Sequence, residues 1–199
     1  MIVDERFAVR TAKEVVSAAK LPAPGEVEAL VAEMKENALL ATTAVTRDGA
    51  GGLQEAGGAA QVARLLHEWQ QRDPTVEIHV AAHSAGSMLM APLVQLLTTP
   101  GQIASGPAAG MLGLGAKIES AHLWAPALTT ELFLQTFGTA LRERRIDRAS
   151  LFTLTDRAER DDHCARVYNK SLLYLVAHAF EATARNWIEI GRASCRERV

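Results

Sequence analysis

The sequence predicts an α/β fold: a partial parallel sheet with about three strands visible, flanking helices and a helical N-terminal segment. Three observations support this prediction. Strand-like and helix-like segments alternate after residue 74, an order that is typical of parallel strands joined by right-handed helical crossovers. The first sixty residues instead show mainly helical spacing of apolar residues. With 199 residues, 48% apolar and 22% charged, the chain has the length and composition of one globular domain.

Residues 1–58 are expected to form a helical segment that serves as a cap, a lid or an insertion. In PGEVEALVAEMKENALL the apolar residues recur every three or four positions, which gives a helix one apolar stripe. This stripe consists of Val27, Leu30, Val31, Met34 and Ala38. The glycines of TRDGAGGLQEAGG predict a flexible connector from Thr46 to Gly58.

Residues 59–189 are expected to form a truncated α/β core. The core begins with an amphipathic helix, AAQVARLLHEWQQR. Its apolar face holds Val62, Leu65, Leu66 and Trp69. Asp73-Pro74 ends this helix because proline lacks the amide hydrogen that would continue it. A strand, TVEIHVAA, and an apolar helix, GSMLMAPLVQLL, come next, and Pro92 should kink that helix.

The remaining core segments repeat the same alternation. A glycine-rich loop is predicted from Thr98 to Gly115, followed by a second strand in KIESAHLWAPA and a helix in TTELFLQTFGTALRE. A third strand, RASLFTLTD, should end at Asp156, and VYNKSLLYLVAHAFEATARNW should form a long closing helix. Because three strands are fewer than a doubly wound sheet usually has, we expect that further strands belong to this sheet.

Residues 190–199, IGRASCRERV, are expected to be a non-native tail. They resemble the translation of a sequencing-library adapter read as coding sequence, and such scars are excluded from fold reasoning. The gene product is then expected to be cut near Glu189, and Met1 need not be its true start. Without the tail a single thiol, Cys164, remains, which favours a reducing compartment, the cytoplasm. A net charge of −2 and the absence of a long apolar run indicate neither nucleic-acid binding nor a membrane span.

Ser84 stands between a β-branched strand and an apolar helix, in Ala82-His83-Ser84-Ala85-Gly86. A serine on a sharp strand-to-helix turn has strained backbone angles, and small residues two positions to either side let strand and helix approach closely. The amide of Ala85, at the start of the helix, would then stabilise an oxyanion. The alternative is that Ser84 simply caps the helix.

Three segments together resemble the C-terminal half of α/β-hydrolase-fold proteins, most closely a poorly characterised bacterial subgroup: HVAAHSAGSMLMAPL, SAHLWAPALTTELF and SLFTLTDRAERDDHCARVYNKSLLYLVAHAFE. The likeness covers roughly residues 57–181. It implies that Ser84 is the nucleophile, that the Ala85 amide lies in the oxyanion hole, and that Ala82, His83 and Gly86 support the elbow.

The resemblance also implies an acid after a later strand and a histidine after the last one. Asp156 is the first choice for the acid, with Asp161 and Asp162 as alternatives, although Asp156 could instead cap the next turn. Each of the six histidines has another explanation; His79 and His122, for example, lie within strands. We therefore expect the catalytic histidine beyond residue 189, and residues 1–58 contain no recognisable second oxyanion donor.

The sequence thus predicts a fragment of a serine hydrolase, acting on a small-molecule or lipid-like ester, thioester or amide and inactive as truncated. The alternative is a non-catalytic α/β-hydrolase-like scaffold that binds a partner. No cofactor or metal is expected. The glycines of GMLGLGAK precede a strand instead of following one, unlike a phosphate loop, and the donors of DDHC lie too close together to form a closed metal site.

Overall fold

A computed structural model of the chain describes residues 24–47, 49–50, 53–163 and 170–171. Cys164, the tail at 190–199 and most of the predicted closing helix lie outside these residues. Two residues of that predicted helix, Lys170 and Ser171, are described, and neither is helical. The chain divides into two compact units, one of residues 35–152 and one of residues 1–34 with 153–199. Each unit is described by itself. Among the described helices, none combines the length and the apolar character that crossing a membrane requires.

A three-stranded parallel sheet organises the unit of residues 35–152. Its strands are β3 (His79–His83), β6 (Ile118–Trp124) and β7 (Ile146–Phe152), in the order β3-β6-β7. The last residues of the strands are level, because His83 pairs with Trp124 and Trp124 pairs with Phe152. This sheet and its helices confirm the predicted α/β class with three strands.

Helices connect the strands and form the core. Helix α2 (Gly58–Arg72) precedes β3, and α3 (Gly86–Thr98) follows it. Between β6 and β7 the chain forms α4 (Thr130–Phe133), a π-helical turn (Leu134–Gly138) and α5 (Thr139–Arg142), where one continuous helix was predicted. The largest fully buried side chains of this unit include Leu96, Leu97, Ile118, Leu128 and Phe137.

Two antiparallel ribbons replace segments for which the sequence predicted loops. β1 (Val45–Arg47) pairs with β2 (Leu53–Ala56), so the prediction of a flexible connector there was wrong. β4 (Pro100–Gln102) pairs with β5 (Leu112–Leu114) inside the predicted glycine-rich loop. In both ribbons strands of only three or four residues carry few side-chain signals, and the pairing of neighbouring segments supplies their stability.

Helix α2 buries a different face from the one predicted. Val62, Leu65 and Trp69 are at least half exposed, whereas Ala60 and Ala63 are completely buried. Helix α2 packs against α3, and small alanine side chains allow two helices to approach closely. The apolar spacing therefore located the helix correctly but not its contact face.

The other unit contains the short helix α6 (Asp156–Asp161), after β7, and residues 24–34 of helix α1 (Pro24–Thr43). Thr155 caps this helix: its hydroxyl accepts a hydrogen bond from the Ala158 amide at 3.2 Å. The third strand ends at Phe152 and not at Asp156 as predicted, so Asp156 is the first residue of a helix. Helix α1 (Pro24–Thr43) is the remaining described element, and the side chains that would form most of its predicted stripe are not described.

Candidate functional site

Ser84 lies in a left-handed backbone conformation directly after β3. Its φ is +48°, an angle that non-glycine residues adopt rarely and at an energetic cost. Helix α3 begins two residues later, at Gly86. The predicted abrupt turn at the carboxyl end of a parallel strand is therefore present.

Ser84 does not cap helix α3. The capping position belongs to Ala85, and no side chain caps this helix. The half-buried Ser84 hydroxyl has no hydrogen-bond partner among the described residues. The geometry thus excludes the capping alternative and leaves the hydroxyl available for another role.

The backbone of Ser84 is held by four hydrogen bonds. Its amide donates to the Trp124 carbonyl at 3.0 Å. Its carbonyl accepts from the Ala127 amide at 3.1 Å, and from the amide and hydroxyl of Ser87 at 3.0 and 2.6 Å. Because these partners come from both α3 and the segment after β6, the surrounding structure maintains the strained turn.

A second left-handed residue, Ala125, lies at the end of the neighbouring strand with a φ of +39°. Its amide donates to the Phe152 carbonyl at 2.7 Å, just as the Ser84 amide donates to Trp124. Each of the two strands thus ends in a left-handed residue whose amide bonds to the end of the next strand. Only one of the two, Ser84, carries a hydroxyl.

The small residues beside Ser84 have different environments. Ala82 is buried within the sheet, as the predicted close approach requires. Gly86 is exposed, and a Cβ atom built on it would meet no described atom within 4 Å. The steric reason given for a small residue at position 86 was therefore wrong. The Ala85 amide has no hydrogen-bond acceptor among the described residues, as an oxyanion donor requires.

The predicted acids lie in the unit of residues 1–34 and 153–199 and are at least partly exposed. Asp156 forms an ion pair with Arg160 at 2.6 Å, and Asp161 forms one with Arg157 at 3.4 Å. Asp162 is exposed, and its carboxylate accepts a hydrogen bond from the His163 amide. None of these contacts tests the catalytic assignments, which stay predictions.

Sequence reasoning missed Glu159, the one charged side chain that is buried among the described residues. Its Oε2 atom has no hydrogen-bond partner within the described part of the chain. A buried carboxylate oxygen without a hydrogen-bond partner is unfavourable unless something pairs with it. No local pattern distinguishes Glu159 from its charged neighbours, because its burial results from the folding of this unit.

His79, His83 and His122 lie on one face of the sheet, which also carries Ser120, and His79 and His122 both contact Ser120. His79 Nδ1 lies 2.7 Å from Ser120 Oγ, and His122 Nε2 lies 3.1 Å from the same oxygen. His79 Nε2 lies 3.3 Å from the Glu77 carboxylate. The prediction that His79 and His122 are strand residues is confirmed, but sequence reasoning missed this chain of contacts.

Glu77, His79 and Ser120 have the connectivity of a carboxylate–histidine–serine triad. Ser120, however, is 5% exposed and lies in the middle of the central strand. Its neighbouring amides belong to the sheet ladder, so they are not available to stabilise an oxyanion. The arrangement therefore lacks the electrostatic part of a hydrolytic site.

The other described histidines lie apart from this chain of contacts. His83 is exposed at the end of β3, and His67 lies on α2 with its Nδ1 buried and unpaired among the described atoms. His163 Nδ1 lies 2.8 Å from the Asp162 carbonyl, and His178 lies outside the described residues. No described residue is hydrogen-bonded to the Ser84 hydroxyl as a general base.

Comparisons with known proteins identify no relative of this chain: no family model, no curated protein and no solved structure matches it. Within the described residues, no group of three or more histidine, cysteine, aspartate or glutamate side chains could hold a metal ion.

Proposed function

We propose that this chain is part of a serine hydrolase of the α/β-hydrolase superfamily, of the poorly characterised bacterial subgroup that its sequence resembles. One observation supports this above all others: Ser84 adopts a left-handed turn between a parallel strand and a helix, with its hydroxyl unpartnered within the described structure. That is the geometry of a nucleophile elbow. The substrate class is a small-molecule or lipid-like ester, thioester or amide.

In the proposed reaction the Ser84 hydroxyl attacks the substrate carbonyl and forms an acyl-enzyme. A histidine accepts the hydroxyl proton and later donates it to the leaving group. The Ala85 amide, together with the positive end of the 13-residue helix α3, stabilises the oxyanion. Water then releases the acyl group by the reverse sequence of proton transfers.

The acid that orients the histidine is proposed from chain order and burial. Asp156 is the residue that the resemblance implies, with Asp161 and Asp162 as alternatives. Glu159 joins them because a buried carboxylate with an unpaired oxygen suits a residue that holds a partner. Replacing each of these residues by its amide, in the gene product carried past residue 189, separates the candidates. Only substitution of the residue that orients the histidine should reduce kcat by orders of magnitude without unfolding the protein.

The histidine itself is proposed to lie beyond residue 189, so the 199-residue chain should not turn over esters. A non-catalytic binding scaffold is the second candidate, and it is favoured by the absence of a described base at Ser84. We assign the protein to the cytoplasm because only one thiol lies outside residues 190–199.

A fluorophosphonate probe tests the proposal. The gene product carried past residue 189 should be labelled at Ser84, and Ser84→Ala should abolish the labelling. Ser150→Ala is the matched control, because Ser150 lies on β7 and is also only partly exposed. Absence of labelling at Ser84 in a folded, extended protein would favour the scaffold. Ester turnover by the 199-residue chain would contradict the proposed position of the histidine.

A further inference from the structure

On the face of the sheet that carries Ser120, two imidazole nitrogens lie close to the same oxygen atom. His79 on β3 is directly opposite Ser120 on β6, and His122 is two residues further along the same face. The Nδ1 atom of His79 and the Nε2 atom of His122 both lie within hydrogen-bond distance of Ser120 Oγ. Imidazole nitrogens that converge from neighbouring strands are the ligands that zinc(II), nickel(II) and copper(II) prefer.

The Glu77 carboxylate lies behind the outer nitrogen of His79, 3.3 Å from Nε2. A carboxylate only accepts hydrogen bonds, so a contact with Glu77 is made by a proton on His79 Nε2, and in the tautomer with that proton alone Nδ1 has a lone pair. In that tautomer the Ser120 hydroxyl would donate to His79 Nδ1, and the Ser120 oxygen would accept from His122 Nε2–H. A carboxylate behind the outer nitrogen of an imidazole is the usual second-shell arrangement of metal-binding histidines.

From this geometry we propose that His79 and His122 bind a divalent transition-metal ion, in a site separate from Ser84. The ion replaces the Ser120 hydroxyl as the group between the two nitrogens. His122 moves its ring proton from Nε2 to Nδ1, which frees a second lone pair without a net release of protons. Water molecules complete the coordination, because the His79 side chain is half exposed.

The charges around the site permit a cation. Glu77 contributes a negative charge behind His79. Arg148 lies opposite Ser120 in the β6–β7 register, but its guanidinium forms an ion pair with Glu119 at 2.6 Å. With two protein ligands and no third among the described residues, the affinity should follow the order of intrinsic preference, copper(II) above nickel(II) and zinc(II).

Copper(II) titration of the untagged 199-residue chain tests the proposal, in a background with Cys164 and Cys195 replaced by serine. We expect a one-to-one complex whose electron paramagnetic resonance spectrum shows two equatorial imidazole nitrogens. His79→Gln or His122→Gln should leave one nitrogen and weaken binding by more than about tenfold. Glu77→Gln should keep both nitrogens and weaken binding by about tenfold, the lower end for loss of a second-shell partner.

Trp124 offers an independent readout. Its ring lies 5.9 Å from that of His122, so a bound paramagnetic ion should quench its fluorescence. Trp124→Phe should remove this quenching while leaving the resonance spectrum unchanged. His83→Gln is the matched control: His83 lies on the same strand and face and should not alter binding.

Ser120→Ala distinguishes a metal site from a mere hydrogen-bonded pair. It removes the group that the ion replaces, so copper affinity should be kept or increased. The proposal is overturned if copper binds equally well to the folded His79→Gln and His122→Gln variants, if His83→Gln weakens binding as much as they do, or if the spectrum shows one nitrogen. None of these outcomes depends on whether Ser84 is a nucleophile.

Discussion

Replacing Ser84 by glycine should stabilise the protein and remove its proposed reactivity at the same time. A left-handed conformation costs a non-glycine residue about 1–2 kcal/mol, and glycine adopts it without that cost. Glycine also gives the unfolded chain more freedom, which offsets about 0.4–1 kcal/mol. The net increase in the free energy of unfolding should therefore be about 0.8 kcal/mol, the difference between the midpoints of the two ranges.

Ser84→Ala is the matched comparison, because it removes the same hydroxyl but keeps the Cβ atom and hence the strain. The difference between the glycine and alanine variants isolates the backbone term. Urea denaturation measures the free energy of unfolding, and the melting temperature should rise by about 2–3 °C from alanine to glycine. Fluorophosphonate labelling of the extended gene product should be lost in both variants.

Ala125→Gly repeats the test at the second left-handed position. It should stabilise the chain by a similar amount, since Ala125 has a φ of +39°, and it should leave labelling intact. A Ser84→Gly variant that unfolds at the same or lower urea concentration than Ser84→Ala would refute the strained turn. Labelling that survives Ser84→Gly would instead refute Ser84 as the nucleophile.

Other substitutions test the structure around this turn. Gln95→Leu should cost about 2–3 kcal/mol, because buried Gln95 donates to the Ser105 carbonyl (2.8 Å) and accepts from the buried Ala108 amide (2.9 Å), which would lose its partner; equilibrium unfolding measures this. Gly113→Ala should lower the melting temperature, because its Cβ would collide with the Thr99 carbonyl oxygen. Gly86→Ala should leave the melting temperature unchanged or raise it slightly, and equal effects of the two variants would contradict the described packing around these glycines. Phe137→Ala, at a fully buried position, should cost about 3–5 kcal/mol of unfolding free energy, and a loss below 1 kcal/mol would argue against the core assignment.

The strand–helix order and the position of the elbow could be predicted because both leave local signals. The alternation of strand-like and helix-like segments predicted β3, β6 and β7 within a few residues of their observed bounds. The junction of a strand and an apolar helix at Ser84 predicted its turn, and Ala82 is buried as the prediction required, although position 86 has no steric need for a small residue. The short ribbons at residues 45–56 and 100–114 escaped prediction because so few residues form each strand.

The proximity of the two proposed metal ligands, His79 and His122, could not be predicted. They meet at Ser120, which is 41 positions from His79 and lies beside it only because of the strand register. The burial of Glu159 could not be predicted either, because it results from the folding of the unit that contains it. On α2 the spacing located an apolar stripe, but the packing buried Ala60 and Ala63 instead.

The sequence by itself determined the α/β class, the three parallel strands and the serine at the end of the first of them, because backbone preferences and side-chain periodicity act over short distances along the chain. The tertiary structure alone decided that the Ser84 hydroxyl is not a cap, which helix face is buried, and which polar side chains converge. Those outcomes depend on contacts between residues that are distant along the chain, and short-range preferences do not specify such contacts.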